Sequence, residues 1–252
     1  MKKIVVFTTL VSIFTICHAQ FSEYGVKVGL GAATMNDDLA TKSPVLATNI
    51  GGYINYTFQN SESLFSEIFH LQTGLNLIRR GSNFEEVLER GTTLSIRTGY
   101  HHAWYVQLPI LACLHYELPI RHPGHDLGLC IGPAVSFGLF GNYADRKITP
   151  GVSSPSANYD ISFNGTPDDC KVFNHLNRLD IGAIVGLTYQ YRNLNLSLFI
   201  DHGFLATSDG YDILRIIQNQ QSQGSDVNVK IPNGHNVAYM LSFSYKLGDL
   251  SK

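Results

Sequence analysis

The chain has 252 residues, a formal charge of −2 and only 15% charged residues, against about 25% in an ordinary soluble domain. With 44% apolar residues, 18 Lys and Arg, and 23 Gly, this excludes a basic nucleic-acid binder, a disordered chain and a coiled coil. A mean hydropathy of zero, with no apolar run near 20 residues, excludes a helical membrane protein.

The first segment reads as a targeting signal. Lys2 and Lys3 form a positive start, Ile4 to Ile16 a short apolar stretch, and Cys17-His18-Ala19 a small-residue cleavage site. Residues 1–19 are expected to be a signal peptide and residues 20–252 a barrel domain. Export leaves Cys113, Cys130 and Cys170 in an oxidising compartment.

From there, period-two alternation marks strands with one apolar face. The first strand sets Tyr24, Val26, Val28 and Leu30 against Gly25, Lys27, Gly29 and Gly31. The second sets Ile50, Ile54, Tyr56 and Phe58 against Gly51, Tyr53, Asn55 and Thr57. The third carries Phe69, Leu71, Leu75 and Leu77 against His70, Gln72, Gly74 and Asn76. In the fourth, Trp104, Val106, Leu108, Ile110, Leu114 and Tyr116 oppose Tyr105, Gln107, Pro109 and His115. In the fifth, Leu127, Leu129, Ile131, Val135, Phe137 and Leu139 oppose Gly128, Cys130, Gly132, Ser136 and Gly138. The sixth runs over Leu179–Gln190, the seventh over Leu194–Asp201 and the eighth over Val237–Leu247, with the same alternation.

Most of these strands reach about ten residues, the length that crosses a bilayer at a tilt. Eight strands enclose a narrow interior, which the large aliphatics would overfill. The Gly, Ser, Asn and Gln face therefore points inward and the aliphatic face meets lipid. Residues 59–64, 117–125 and 192–193 form short connections. Residues 34–47, 81–98, 141–177 and 206–235 form long ones, in strict alternation. Outer-membrane barrels pair short periplasmic turns with long extracellular loops, so both termini are expected in the periplasm. Tyr24, Tyr56, Phe58, Tyr116, Tyr189, Tyr191 and Tyr245 are expected to form one aromatic girdle. Tyr100, Trp104, Phe140, Tyr143 and Phe204 are expected to form the other.

Six short motifs occur in order along the chain. They are Tyr24-Gly25-Val26-Lys27-Val28-Gly29, Arg80-Gly81, Tyr105-Val106-Gln107-Leu108-Pro109, Gly132-Pro133, Asp180-Ile181-Gly182 with Gly186, and Ser244-Tyr245-Lys246-Leu247. On these the chain resembles the PorT-like outer-membrane β-barrel family of the Bacteroidota. It departs from that pattern at Arg80, where Lys is usual, at Gln107, where an acid is usual, and at Phe199-Ile200, where an Arg-Tyr pair is usual. The resemblance implies an eight-stranded outer-membrane barrel, and one branch of the family serves type IX secretion.

Reactive chemistry is sparse. His101, His102, His115, His122 and His125 lie in or near one hairpin, but none has metal-ligand spacing with an acidic or thiolate partner. Asp201-His202 with Ser208 contains the residue types of a triad, yet alternation points Asp201 inward and His202 outward. Lys27, Lys246, Asp180 and Asp201 are expected in the lumen, hydrogen-bonded by Tyr53, Tyr105 and Gln107 into a side-chain plug. Cys113 and Cys130 can bond if their turn centres near residues 121–122, but not if it centres on Pro123-Gly124. Phe84 to Arg90 and Tyr211 to Gln218 have helical spacing and are expected as loop helices.

The expectation is an all-β, eight-stranded antiparallel up-and-down transmembrane barrel in the cell outer membrane. It has no catalytic, cofactor-binding or metal residues, and it contacts membrane lipid and no nucleic acid. It acts as a surface-binding or structural envelope module, and loops 141–177 and 206–235 are open to an envelope protein partner. The alternatives are a lipid-modifying enzyme and an accessory of a type IX-like secretion machine.

Overall fold

A computed structural model describes residues 19–36, 41–58, 68–90, 93–119, 124–149, 152–153, 155–163, 175–205 and 234–249. The signal-peptide expectation, apart from Ala19, lies outside them, as do the helix expected at Tyr211 to Gln218, His122, Cys170 and Ser208.

Eight long strands form the wall: β1 (Ala19–Asn36), β2 (Val45–Phe58), β3 (Phe69–Arg90), β4 (Thr93–Glu117), β5 (His125–Thr149), β6 (Leu179–Tyr191), β7 (Leu194–Gly203) and β8 (His235–Gly248). Each pairs antiparallel with its sequence neighbours, and β8 pairs with β1, so the ladder closes. Closure gives the backbone groups of the wall partners without an open edge, the condition for crossing lipid with strands. No helix among the described residues is long and apolar enough to cross a membrane.

The register fixes the geometry. From Arg79 the cross-strand partners run Thr48, Leu30, Leu241, Leu198, Leu187, Leu129, Leu114 and back to Phe69. One circuit therefore shifts ten residues along β3. Ten residues at about 3.3 Å each, against eight strands about 4.8 Å apart, give a tilt of about 40°. The same shift is about 25 Å along the barrel axis, the height of an apolar outer band. Six consecutive strands place an exposed leucine on this spiral. On the luminal side, one residue along, lie Gly29, Ser242, Ser197, Thr188 and Gly128. Small side chains inside and branched ones outside are what a narrow barrel in lipid requires.

β3, β4 and β5 have 22, 25 and 25 residues and project past the others at one end. Two expectations are corrected here. Phe84 to Arg90 form strand, not a loop helix, paired with residues Thr93 to Gly99. The residues expected as connections at 81–98, and at the start of 141–177, continue the ladder, with β5 ending only at Thr149. Gly81 and Gly99 read as turn residues, but they serve close cross-strand approach. A Cβ on either would come within 2.1–2.2 Å of a carbonyl oxygen, that of His101 or of Ala144. Continuing the ladder satisfies backbone groups that a loop would leave to solvent.

A register irregularity between Trp104 and Tyr105, opposite Gly138 and Phe140, puts both Leu139 and Phe140 outside. Beyond this bulge the faces of β5 exchange parity. Tyr143, expected in a girdle, is therefore buried and stacked on Phe84 at 5.7 Å. Tyr100, Phe140 and Phe204 are exposed at the long-hairpin end, and Tyr24, Tyr116, Tyr189 and Tyr245 at the short-turn end. The side chain of Phe58 lies outside the described residues.

Candidate functional site

Polar side chains from five strands meet in the lumen toward the long-hairpin end. Arg80 of β3 sits on the luminal parity two residues past Ile78, and Asp180 of β6 and Asp201 of β7 point at it from the opposite wall. Arg80 Nη1 donates to Asp180 Oδ2 at 3.1 Å, and Nη2 pairs with Asp201 Oδ2. Nη2 also donates to Ser136 Oγ at 3.4 Å. Gln107 Nε2 donates to Asp201 Oδ2 at 2.8 Å and to Ser136 Oγ at 3.3 Å. Arg80 is 2% exposed and both carboxylates 4%. A Cβ on Gly203 would fall 2.5 Å from the Asp180 carboxylate, so glycine there makes room for it.

The guanidinium lies 5.8 Å from the centre of the Tyr105 ring, a cation–π distance. Phe163 packs edge-on against Tyr105 at 6.0 Å. Ile161, Phe163 and Leu176, from the connection after β5, join Met35, Ile78, Ala103 and Tyr143 in one buried apolar cluster. The ion cluster thus lies under a hydrophobic lid. On its other side Lys27 is buried with its Nζ 5.1 Å over the Phe199 ring. Two cations, Lys27 and Arg80, balance Asp180 and Asp201. A cavity of about 20 Å³ separates Lys27 from Asp201, lined also by Gln107, Leu111, Phe199 and Met240. That is room for about one water. A second, of about 10 Å³, lies by Tyr53, His70 and Ser197.

Toward the short turns the lumen widens into an open vestibule of about 400 Å³. There Lys246 Nζ pairs with Glu23 at 3.1 Å and with Asp249 at 2.6 Å. The His70 and His115 rings stand 4.4 Å apart. The other histidines are dispersed: His101 faces in and His102 out, and His125 stacks on Tyr191. No group of three metal-ligating side chains occurs among the described residues. Cys113 and Cys130 are directly opposite and form a disulfide with a Cα separation of 4.1 Å. This register is the first of the two alternatives open from the sequence.

Of the luminal charges expected, Lys27, Asp180 and Asp201 are placed in the plug, with Gln107 among their partners as foreseen. Lys246 instead belongs to the vestibule. Arg80, the hub, is not among the luminal charges expected, because the alternation read for the third strand stops at Leu77. Its even parity with His70, Gln72, Gly74 and Asn76 was the available signal. Asp201 and His202 point apart as alternation required, with His202 exposed. Ser136 Oγ accepts from Arg80 and Gln107, so two donors, not an imidazole, orient it.

No curated protein matches the sequence. Among solved structures, the chain is similar to the attachment invasion locus protein Ail of Yersinia pestis, at 10% identity and a TM-score of 0.37, over 90% of this chain and 99% of that one. It is also similar to Neisserial surface protein A (NspA), at 9% identity and a TM-score of 0.33, over 89% of this chain and 97% of that one. The model for the outer membrane protein beta-barrel domain matches residues 18–207. With that match over most of the chain and a closed eight-stranded ladder, the chain belongs to the outer membrane protein beta-barrel domain family and is an outer-membrane barrel.

Proposed function

We propose that this barrel is a non-enzymatic surface-binding or structural module of the envelope, working from its long-hairpin face with its lumen shut. The observation that carries this reading is the Arg80–Asp180–Asp201 cluster, which spans the lumen beneath the Ile161–Phe163–Leu176 lid. Directly below it, cavities of about 20 and 10 Å³ lie between the cluster and the open vestibule. A rigid wall with a filled interior leaves its projecting hairpins as the surface for partners. The proposal orients the long hairpins outward and the termini toward the periplasm, after removal of residues 1–19 as a signal peptide. Segments 141–177 and 206–235 are the surfaces offered to an envelope protein. The PorT-like motifs support a place in that family, while the departures at Arg80, Gln107 and Phe199-Ile200 argue against carrying over its role in type IX secretion.

The purified protein in planar bilayers is expected to give no stable conductance. A long-lived unitary current that scales with protein amount would overturn the shut lumen. Outer-membrane lipids from cells with and without the protein are expected to share one acyl pattern, and an altered pattern would favour the lipid-modifying alternative. For orientation, Lys147→Cys in a Cys170→Ser background is expected to react with an impermeant maleimide on intact cells.

A further inference from the structure

We infer that Arg79 is the centre of a lipid-facing site for the phosphate of a lipid A-type glycolipid, with Thr48, His102 and Trp104 around it. The inference rests on the outward orientation of the long hairpins proposed above.

Arg79 is on the outer parity of β3, opposite in kind to luminal Arg80. A cation facing lipid is tolerated only where it reaches headgroups. The register places Arg79 about one apolar-band height, roughly 25 Å, from Phe69 on the same strand. It thus stands at the border of the band, not within it. Below it the cross-strand pair Leu77 and Val106 continues the apolar surface.

The neighbours on its face are donors. Thr48 lies directly opposite on β2 and Trp104 directly opposite on β4. His102 is one outward step along β4 and stacks on Tyr100 at 5.3 Å. None of these is acidic. Asp180 and Asp201, on the opposite wall, face the lumen and are taken by Arg80. Among the described residues Arg79 makes no ion pair, and its Nε and the Thr48 hydroxyl are buried without a hydrogen-bond partner. The Nη fork of Arg79 beside the indole N–H of Trp104 matches a phosphate, which offers several acceptor oxygens and a negative charge. Leu77 and Val106 beneath it suit the acyl chain that the same molecule carries.

The test uses the full folded chain in neutral maltoside micelles, with lipid retention read by native mass spectrometry and stability by unfolding temperature. Lipid A is expected to be retained and to raise the unfolding temperature. Dephosphorylated lipid A, phosphatidylglycerol and millimolar inorganic phosphate are expected to do neither. Arg79→Gln should lower retention by about tenfold or more, as loss of a charge-assisted pair does, while Arg79→Lys keeps part of it. Should Arg79→Gln fail to fold, as read by heat-modifiable migration, Trp104→Phe removes the N–H and keeps the ring, and a loss of retention is still expected. Unchanged retention in Arg79→Gln, or in Trp104→Phe where that variant stands in, would overturn the site. Equal retention of phosphatidylglycerol, or competition by inorganic phosphate, would overturn the lipid A assignment. The Lys147→Cys labelling reads orientation independently, so failure of that reading and failure of this site are separable.

Discussion

A guanidinium held in a narrow lumen cannot shed its charge, so its partners decide its cost. Arg80 has two carboxylates, a serine and an aromatic face. Removing the cation alone would leave two buried carboxylates facing each other. Arg80→Ala is therefore expected to destabilise by about 3–5 kcal/mol, measured by urea unfolding in lipid vesicles. Arg80→Met combined with Asp180→Asn and Asp201→Asn is expected to recover much of the loss, because no charge is then stranded. A triple variant as unstable as Arg80→Ala would mean that the pairing matters less than the space the side chains fill. Both aspartates were legible as luminal from alternation. Arg80 was not, because it precedes Gly81 and a run of polar residues that resembles a loop.

Along an element, the two faces answer to different physics. Leu241 lies on the leucine spiral, while its neighbour Ser242 is fully buried against Gly29. Leu241→Arg near mid-membrane is expected to cost about 2–4 kcal/mol through lipid exposure of charge. Ser242→Arg should instead fail by steric crowding. Arginine tolerated equally at both sites in a folding assay would contradict the face assignment. Strand existence and facing were readable because period two persists over at least four residues on each face. Strand ends at the long-hairpin end were not, since Gly81, Gly99 and Gly141 carry turn chemistry while serving close packing. The β4–β5 pair adds a covalent cross-link with its ladder. Replacing Cys113 and Cys130 by serine is expected to cost about 3 kcal/mol or less, the loop-closure value for a span near 15 residues. Comparing reduced and oxidised unfolding midpoints checks it.

For the whole molecule, the lumen is shut in two layers that meet at Ile78. The upper one is the Ile161, Phe163 and Leu176 lid, and the lower one is built on Lys27, Gln107 and Phe199. Ile161→Ser with Phe163→Ser is accordingly expected to loosen the mouth while leaving conductance absent and heat-modifiable migration unchanged. A current appearing in that variant would assign the seal to the lid alone. Among the described residues, the register irregularity at Gly138 and Phe140 is where alternation misleads, turning Tyr143 inward. A single extra residue in a strand has no signature in period two until the partner strand is known.

The ten-residue circuit has a further consequence. A closed ladder carries a whole number that no local adjustment can change, much as a screw thread has a fixed count of starts. Slipping one strand by one residue would turn its leucines into the lumen, so only even changes keep inside and outside intact. The nearest alternatives have circuits of about eight or twelve residues, one slimmer and one wider. The slimmer has no space for Phe199 and Gln107, where the present voids are only about 20 and 10 Å³. The wider pulls β3 away from β6 and β7, separating Arg80 from Asp180 and Asp201. The ion cluster therefore acts as a gauge of the thread. It forms only when all eight strands have been counted in correctly, and it rewards that count with contacts that join opposite walls.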